Sequence, residues 1–229
     1  MSRACDVVYA GSNSSSPTVV HVIPTKGNQV LGVTSLGDDV FVVRANRQQK
    51  IEVYDAKTFT LQRHITVAGL GDHPAALAAC PHNNCLYAST CIGDGLGDSV
   101  HRLELSDGSK AVMKWSVAWG TAGLSVNTEH NLIVVSGGAS KLQICTTHGT
   151  LLQDIQLQLD VKYSHSAVQL PSGKFAVSHA WLGSHRVCLV DADGDVVRSY
   201  GGAEGSELTQ MNFPRGLHGS GRRRTRSCR

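Results

Sequence analysis

Only a few side chains in this 229-residue chain stand at spacings that could do chemistry. Cys80, His82, Cys85 and Cys91 lie close together, and thiolate and imidazole are the usual ligands of tetrahedral zinc. Their spacing fits no zinc knuckle. Cys80 and Cys85 instead face each other across a short turn, as buried strand thiols would. His165 and His179 flank a single hairpin. A further set mixes Arg, His and large aromatic groups: Arg44, Arg47, Trp119, Tyr163, His165, His179 and Trp181. Such groups anchor recognition surfaces. No nucleophile elbow, phosphate loop or spaced carboxylate pair occurs. The expectation is a non-enzymatic chain with no cofactor and no metal.

The charge balance narrows the partners. The chain has 21 basic and 18 acidic residues, a net charge of +3. Five of the arginines (Arg222, Arg223, Arg224, Arg226 and Arg229) crowd into the last residues, and the body left behind has 16 basic and 18 acidic residues, a charge of −2. A nucleic-acid footprint spread over the whole fold is therefore not expected. No apolar run approaches the roughly 18–20 residues of a membrane helix, so no membrane partner is expected. Seven cysteines is an odd count for so long a chain and too sparse for a secreted disulfide framework. A cytoplasmic location is expected.

What would position these residues is a repeat. Four short apolar runs, separated by turn residues, recur four times. The first copy reads Leu31–Leu36, Val40–Val43, Ile51–Tyr54 and Leu61–Val67. The second reads Ala76–Cys80, Cys85–Ala88, Val100–Leu105 and Val112–Val117. The third reads Gly123–Val126, Leu132–Val135, Leu142–Cys145 and Leu151–Leu157, and the fourth Ala167–Leu170, Phe175–Val177, Val187–Val190 and Val196–Tyr200. In the second run Phe41, Leu86, Leu132 and Phe175 are 45, 46 and 43 residues apart; in the third, Val53, Leu103, Ile144 and Leu189 are 50, 41 and 45 apart. The long interval holds a Gly-rich insertion, Thr90–Asp98.

Runs rich in Val, Leu and Ile, bounded by Gly, Asp, Asn and Ser, are strands. Gly37–Asp39, Pro81–Asn84, Thr128–His130 and Pro171–Gly173 read as hairpin loops. A four-stranded sheet that is apolar on both faces cannot stand alone, and stacking on like neighbours hides both faces. A period of about 45 residues with four strands predicts an all-β propeller rather than a β-sandwich, which gives no reason for such a period. The expected blades are 31–72, 73–119, 120–161 and 162–210. Partial blades are expected at both ends, in the N-terminal segment 1–30 and in 211–217.

The stretch Tyr200–Leu217, with Gln210, Met211, Phe213, Pro214, Gly216 and Leu217, resembles the blade junction of NHL-repeat propellers. The turn Asp191–Gly194 and the pair His185-Arg186 are similar to that pattern too. The Asp that usually follows the second strand is replaced by Arg44, Ser89, Ser136 and Ser178 or their neighbours. A Gly-His…Trp-Asp pair of the WD40 kind is missing. The resemblance implies a binding module like the propeller of tripartite-motif proteins, reading a protein partner, or alternatively RNA, through the face that carries the fourth-to-first and second-to-third strand loops. It also implies a rival, a metal-dependent lyase or hydrolase with its site in the channel. Propellers of this kind usually have six blades, so a truncated fragment of a longer protein is expected, with edge-to-edge self-association through uncovered blade faces. One codon choice for His218–Cys228, read one nucleotide out of frame, spells M-E-A-D-G-D-V-L-V-A-A. The basic tail 218–229 is accordingly expected to be a frame-shifted or mis-spliced end.

Overall fold

The computed structural model describes residues 29–45, 49–70, 74–91, 98–105, 110–181, 183–203 and 211–217. The N-terminal segment 1–28 and the tail 218–229 lie outside the described residues, as does Arg47. Sixteen strands form four antiparallel sheets, and no helix is present among the described residues. No helix long and apolar enough to cross a membrane is therefore found there. In every sheet the strand order is the chain order, as consecutive hairpins dictate.

Blade 1 comprises β1 (Val30–Leu36), β2 (Asp39–Arg44), β3 (Lys50–Asp55) and β4 (Leu61–Thr66). Blade 2 comprises β5 (Pro74–Cys80), β6 (Cys85–Thr90), β7 (Asp98–Glu104) and β8 (Lys110–Val117). Blade 3 comprises β9 (Thr121–Val126), β10 (Leu132–Ser136), β11 (Lys141–Cys145) and β12 (Leu151–Gln156). Blade 4 comprises β13 (Ser164–Gln169), β14 (Phe175–Trp181), β15 (Ser184–Val190) and β16 (Val196–Ala203). The chain divides into two compact units, Met1–Leu124 and Ser125–Arg229.

Within the first unit, Phe41, Val43, Ile51 and Val53 of blade 1 pack with Leu77, Leu86, Ala88 and Leu103 of blade 2. Within the second, Ile133, Val135, Leu142 and Ile144 of blade 3 pack with Ala167, Phe175, Val177, Cys188 and Val190 of blade 4. The period-2 alternation explains both cores. In β11, Leu142 and Ile144 are buried while Lys141 and Gln143 are less so. The outermost strands β4 and β12 bury one side chain each, Ile65 and Ile155.

Two landmarks of the repeat move by one residue. The residue paired as Phe41 pairs with Val53 is Ile133, opposite Ile144, rather than Leu132. In blade 4 it is Val190, opposite Phe175, rather than Leu189. Leu132 is also fully buried, but it lies outside the blade 3–blade 4 cluster. Neighbouring residues of a strand face opposite sides, so a slip of one changes the face.

Among the described residues, Cys80, Cys85, Cys145 and Cys188 sit as buried strand thiols, while Cys91 lies just past β6. Cys80 and Cys85 are buried, free and paired in register across the Pro81–Asn84 turn. Asn83 donates to the Cys80 Sγ at 3.3 Å.

Candidate functional site on blade 4

One end of blade 4 gathers most of the sequence-chosen residues. Three pieces of backbone meet there: the connection from β12 to β13, Gly183 between β14 and β15, and segment 211–217. The connection is pinned first. Val161 is fully buried in the blade 3–blade 4 core. Its N–H donates to the Gln158 carbonyl at 2.9 Å, and the Tyr163 N–H donates to the Gly137 carbonyl at 3.2 Å. Gly137 permits this approach: a Cβ there would stand 2.6 Å from the Ser164 carbonyl oxygen.

Held this way, Tyr163 has φ of +54°, a left-handed conformation that a bulky residue adopts only at an energetic cost. Its ring stacks on Trp181, with centroids 4.0 Å apart and planes at 18°. The two residues remain 43% and 39% exposed. Trp181 ends β14 opposite Ser184, where the short turn with Gly183 at φ +80° lifts it to the rim.

Beneath the pair runs a polar row across the sheet. Ser164 of β13 lies opposite His179 of β14, and His179 lies opposite Arg186 of β15. Arg186 Nε donates to His179 Nε2 at 2.6 Å. Arg186 Nη2 donates to the Asp160 carboxylate at 2.6 Å and to its carbonyl at 3.3 Å. A ring accepting at Nε2 carries its proton on Nδ1. Burial, and then the Arg186 charge, lower the His179 pKa from 6.5 to about 4. The hydrogen bond from Arg186 holds the Asp160 carboxyl below the ordinary carboxylate range. His179 Nδ1 and the buried Ser164 Oγ have no well-formed hydrogen bond, although the Lys162 backbone lies close enough to favour a charged His179.

The register shows what distinguishes this rim. Four residues beyond Phe41, Leu86, Ile133 and Phe175, in the second strand or one residue past its end, stand Ala45, Thr90, Gly137 and His179. In blade 2 the position is filled by Thr90, whose hydroxyl meets that of Ser99 at 2.9 Å. In blade 4 it is the His179–Arg186 pair. The inner strands of blades 1, 2 and 4 share a register shift near their starts, between Val30 and Gly32, Pro74 and Leu77, and Ser164 and Ser166. His165 is the residue skipped in blade 4, and a bulge of this kind re-aims a side chain. Burial, then Arg215 and His185, lower the His165 pKa.

Segment 211–217 folds onto the same end. The Phe213 ring lies 4.4 Å from buried His185, and its N–H donates to His185 Nδ1 at 3.4 Å. Arg215 sits 5.9 Å from the Phe213 ring centroid. The Leu217 N–H donates to Ser166 Oγ at 3.2 Å. Spacing did not single out Asp160, Arg186 or Phe213 as one site with Tyr163 and Trp181. The pair His185-Arg186, with a cation beside an imidazole at a strand start, was the available signal.

The remaining chosen residues belong to the first unit. Arg44 is only 5% exposed, and its guanidinium donates to Glu52 at 2.7 Å and to the Tyr54 hydroxyl at 3.2 Å. Trp119 is exposed in the turn after β8. Among the described residues no cluster of three or more His, Cys, Asp or Glu could hold a metal ion.

No family profile matches the chain, and no curated protein does. Solved structures do share its fold. The chain is similar to hydrazine synthase of Kuenenia stuttgartiensis, with 18% identity, a TM-score of 0.60, and coverage of 74% of this chain and 48% of that one. It is similar to virginiamycin B lyase of Staphylococcus aureus, with 13% identity, a TM-score of 0.57, and coverage of 79% and 58%. It is similar to glutaminyl cyclase of Myxococcus xanthus, with 16% identity, a TM-score of 0.53, and coverage of 74% and 69%. The chain thus spans from about half to about two thirds of the length of these structures. At such identities the likeness concerns the fold alone. With four four-stranded sheets, that fold is all-β and of the blade-type β-propeller class.

Proposed function

We propose that the chain is an NHL-like propeller binding module that recognises a protein partner through the loop end of blade 4, and that it is not an enzyme. The observation that carries this reading is the stacked, solvent-facing pair Tyr163–Trp181, braced by the Asp160–Arg186–His179 row. Trp, Tyr and Arg dominate binding energies at interfaces: the two aromatic groups offer large area with few rotors, and Arg offers a planar fork of donors. A strained Tyr163 backbone that keeps two large rings at the surface has no use in a core. The groups around them are engaged in holding each other: His179 Nε2 is occupied by Arg186, which suits a rigid support better than a proton-transfer role. The free thiols, with Cys80 and Cys85 in register yet unbridged, fit a cytoplasmic setting.

The test is quantitative affinity capture with the full chain, with and without ribonuclease. A protein retained after ribonuclease should bind at least about tenfold more weakly to the Trp181→Ala and Tyr163→Ala variants. Ser172→Arg, in the turn at the opposite end of the blade 4 sheet, should leave binding unchanged. Equal capture by all three variants would overturn the reading.

A further inference from the structure

Charged and apolar groups alternate around the aromatic pair. Lys162 and Arg215 are exposed cations on this end of blade 4, one directly before Tyr163 and the other two residues after Phe213. No ion pair holds either of them among the described residues. Asp160 is the one acid in the row, and Arg186 already neutralises it at 2.6 Å. The nearby pair Lys141–Asp154 in blade 3 balances itself at 2.7 Å. His165 and His185 add no negative charge. Apolar surface is exposed in the same two segments: Leu159, three residues before Lys162, is 84% exposed, and Phe213, beside Arg215, is 48% exposed.

We propose that the segment docking here is an acidic peptide with aromatic or large aliphatic side chains between its carboxylates. This rests on the reading of blade 4 as the binding end. The carboxylates would meet Lys162 and Arg215, and the apolar side chains would cover Leu159, Trp181 and Phe213. The site is charge-complementary to such a peptide while the body of the chain is slightly acidic, so the cationic end gives orientation as well as contact. A nucleic-acid strand fits less well. Two exposed cations are few for a track of phosphates, and the Asp160 side chain, 60% exposed, would face any phosphate laid across Arg186.

The experiment follows fluorescence polarisation of a labelled random copolymer of glutamate and tyrosine, with a lysine–tyrosine copolymer and oligouridylate as the other probes. The Glu–Tyr copolymer should bind saturably and more weakly as salt rises. Affinity should fall about tenfold or more in the Lys162→Gln/Arg215→Gln double variant and in Trp181→Ala. Melting curves confirm that each variant folds. Binding of the Lys–Tyr copolymer as tight as that of the Glu–Tyr copolymer would overturn the proposal, as would tight binding of oligouridylate alone. If the Glu–Tyr copolymer does not bind while Trp181→Ala still loses the captured protein, the acidic-peptide proposal fails and the binding end stands. If Trp181→Ala changes neither, both fail.

Discussion

Arg186 donates its Nε proton to Nε2 of His179 across 2.6 Å, from the directly opposed position on the next strand. A buried imidazole used as an acceptor for a guanidinium must stay neutral. Native His179 therefore titrates near 4 and the unfolded chain near 6.5. Between those values the unfolded chain binds more protons, so stability rises with pH through that window and is lost as pH falls through it. The loss at the acid end is at most about 3 kcal/mol. Denaturant titrations at stepped pH should show this slope, and His179→Gln, whose amide oxygen can still accept from Arg186, should flatten it.

Tyr163→Gly separates backbone strain from binding. Glycine relieves the left-handed φ of +54°, a gain of about 1–3 kcal/mol. It also removes the ring stack, a loss of about 0.5–1.5 kcal/mol together with its contact area. The melting temperature should therefore change little or rise, while partner affinity drops. A variant that unfolds early would place the Tyr163 ring in the scaffold instead.

Arg44→Ala should act on stability and not on recognition. It would remove the guanidinium that meets Glu52, 15% exposed at its side chain, at 2.7 Å and leave the Tyr54 hydroxyl as the remaining donor to that carboxylate. Breaking such a pair costs about 3–5 kcal/mol. Chemical denaturation should show the loss, while captured protein per folded molecule stays constant.

Gly194→Ala is expected to be among the most damaging small changes. Gly194 has φ of +95°, and a Cβ there would overlap the Gln156 carbonyl oxygen. The Gly194 carbonyl also accepts from Gln158 N–H at 3.3 Å, at the root of the connection that carries Tyr163. A loss of about 2–4 kcal/mol is expected from combined strain and overpacking. Thermal unfolding measures it, and a loss below about 1 kcal/mol would contradict the packing described.

The strands were legible because each one obeys a local rule: apolar alternation between turn residues. All sixteen fall where apolar runs occur, with ends shifted by a few residues. Which side a residue faces was less legible. Leu132 and Ile133 are both large and aliphatic, and composition cannot say which one opposes Ile144. The site was legible in part. Tyr163, His179 and Trp181 were visible as large or titratable groups near strand ends. Asp160 and Arg186 are 26 residues apart and meet only because a connection folds over the third strand. Arg44 looked like a rim cation, and its burial depends on Glu52 and Tyr54 across the hairpin, a pairing that only register reveals.

The shared register has an evolutionary consequence. Ala45, Thr90, Gly137 and His179 occupy one structural address, four residues past a core side chain that is large and apolar in every blade. Mutation can rewrite that address in one blade while the greasy interior of every blade keeps its shape. A molecule built this way can acquire new specificities at its rim, blade by blade, without relearning how to fold.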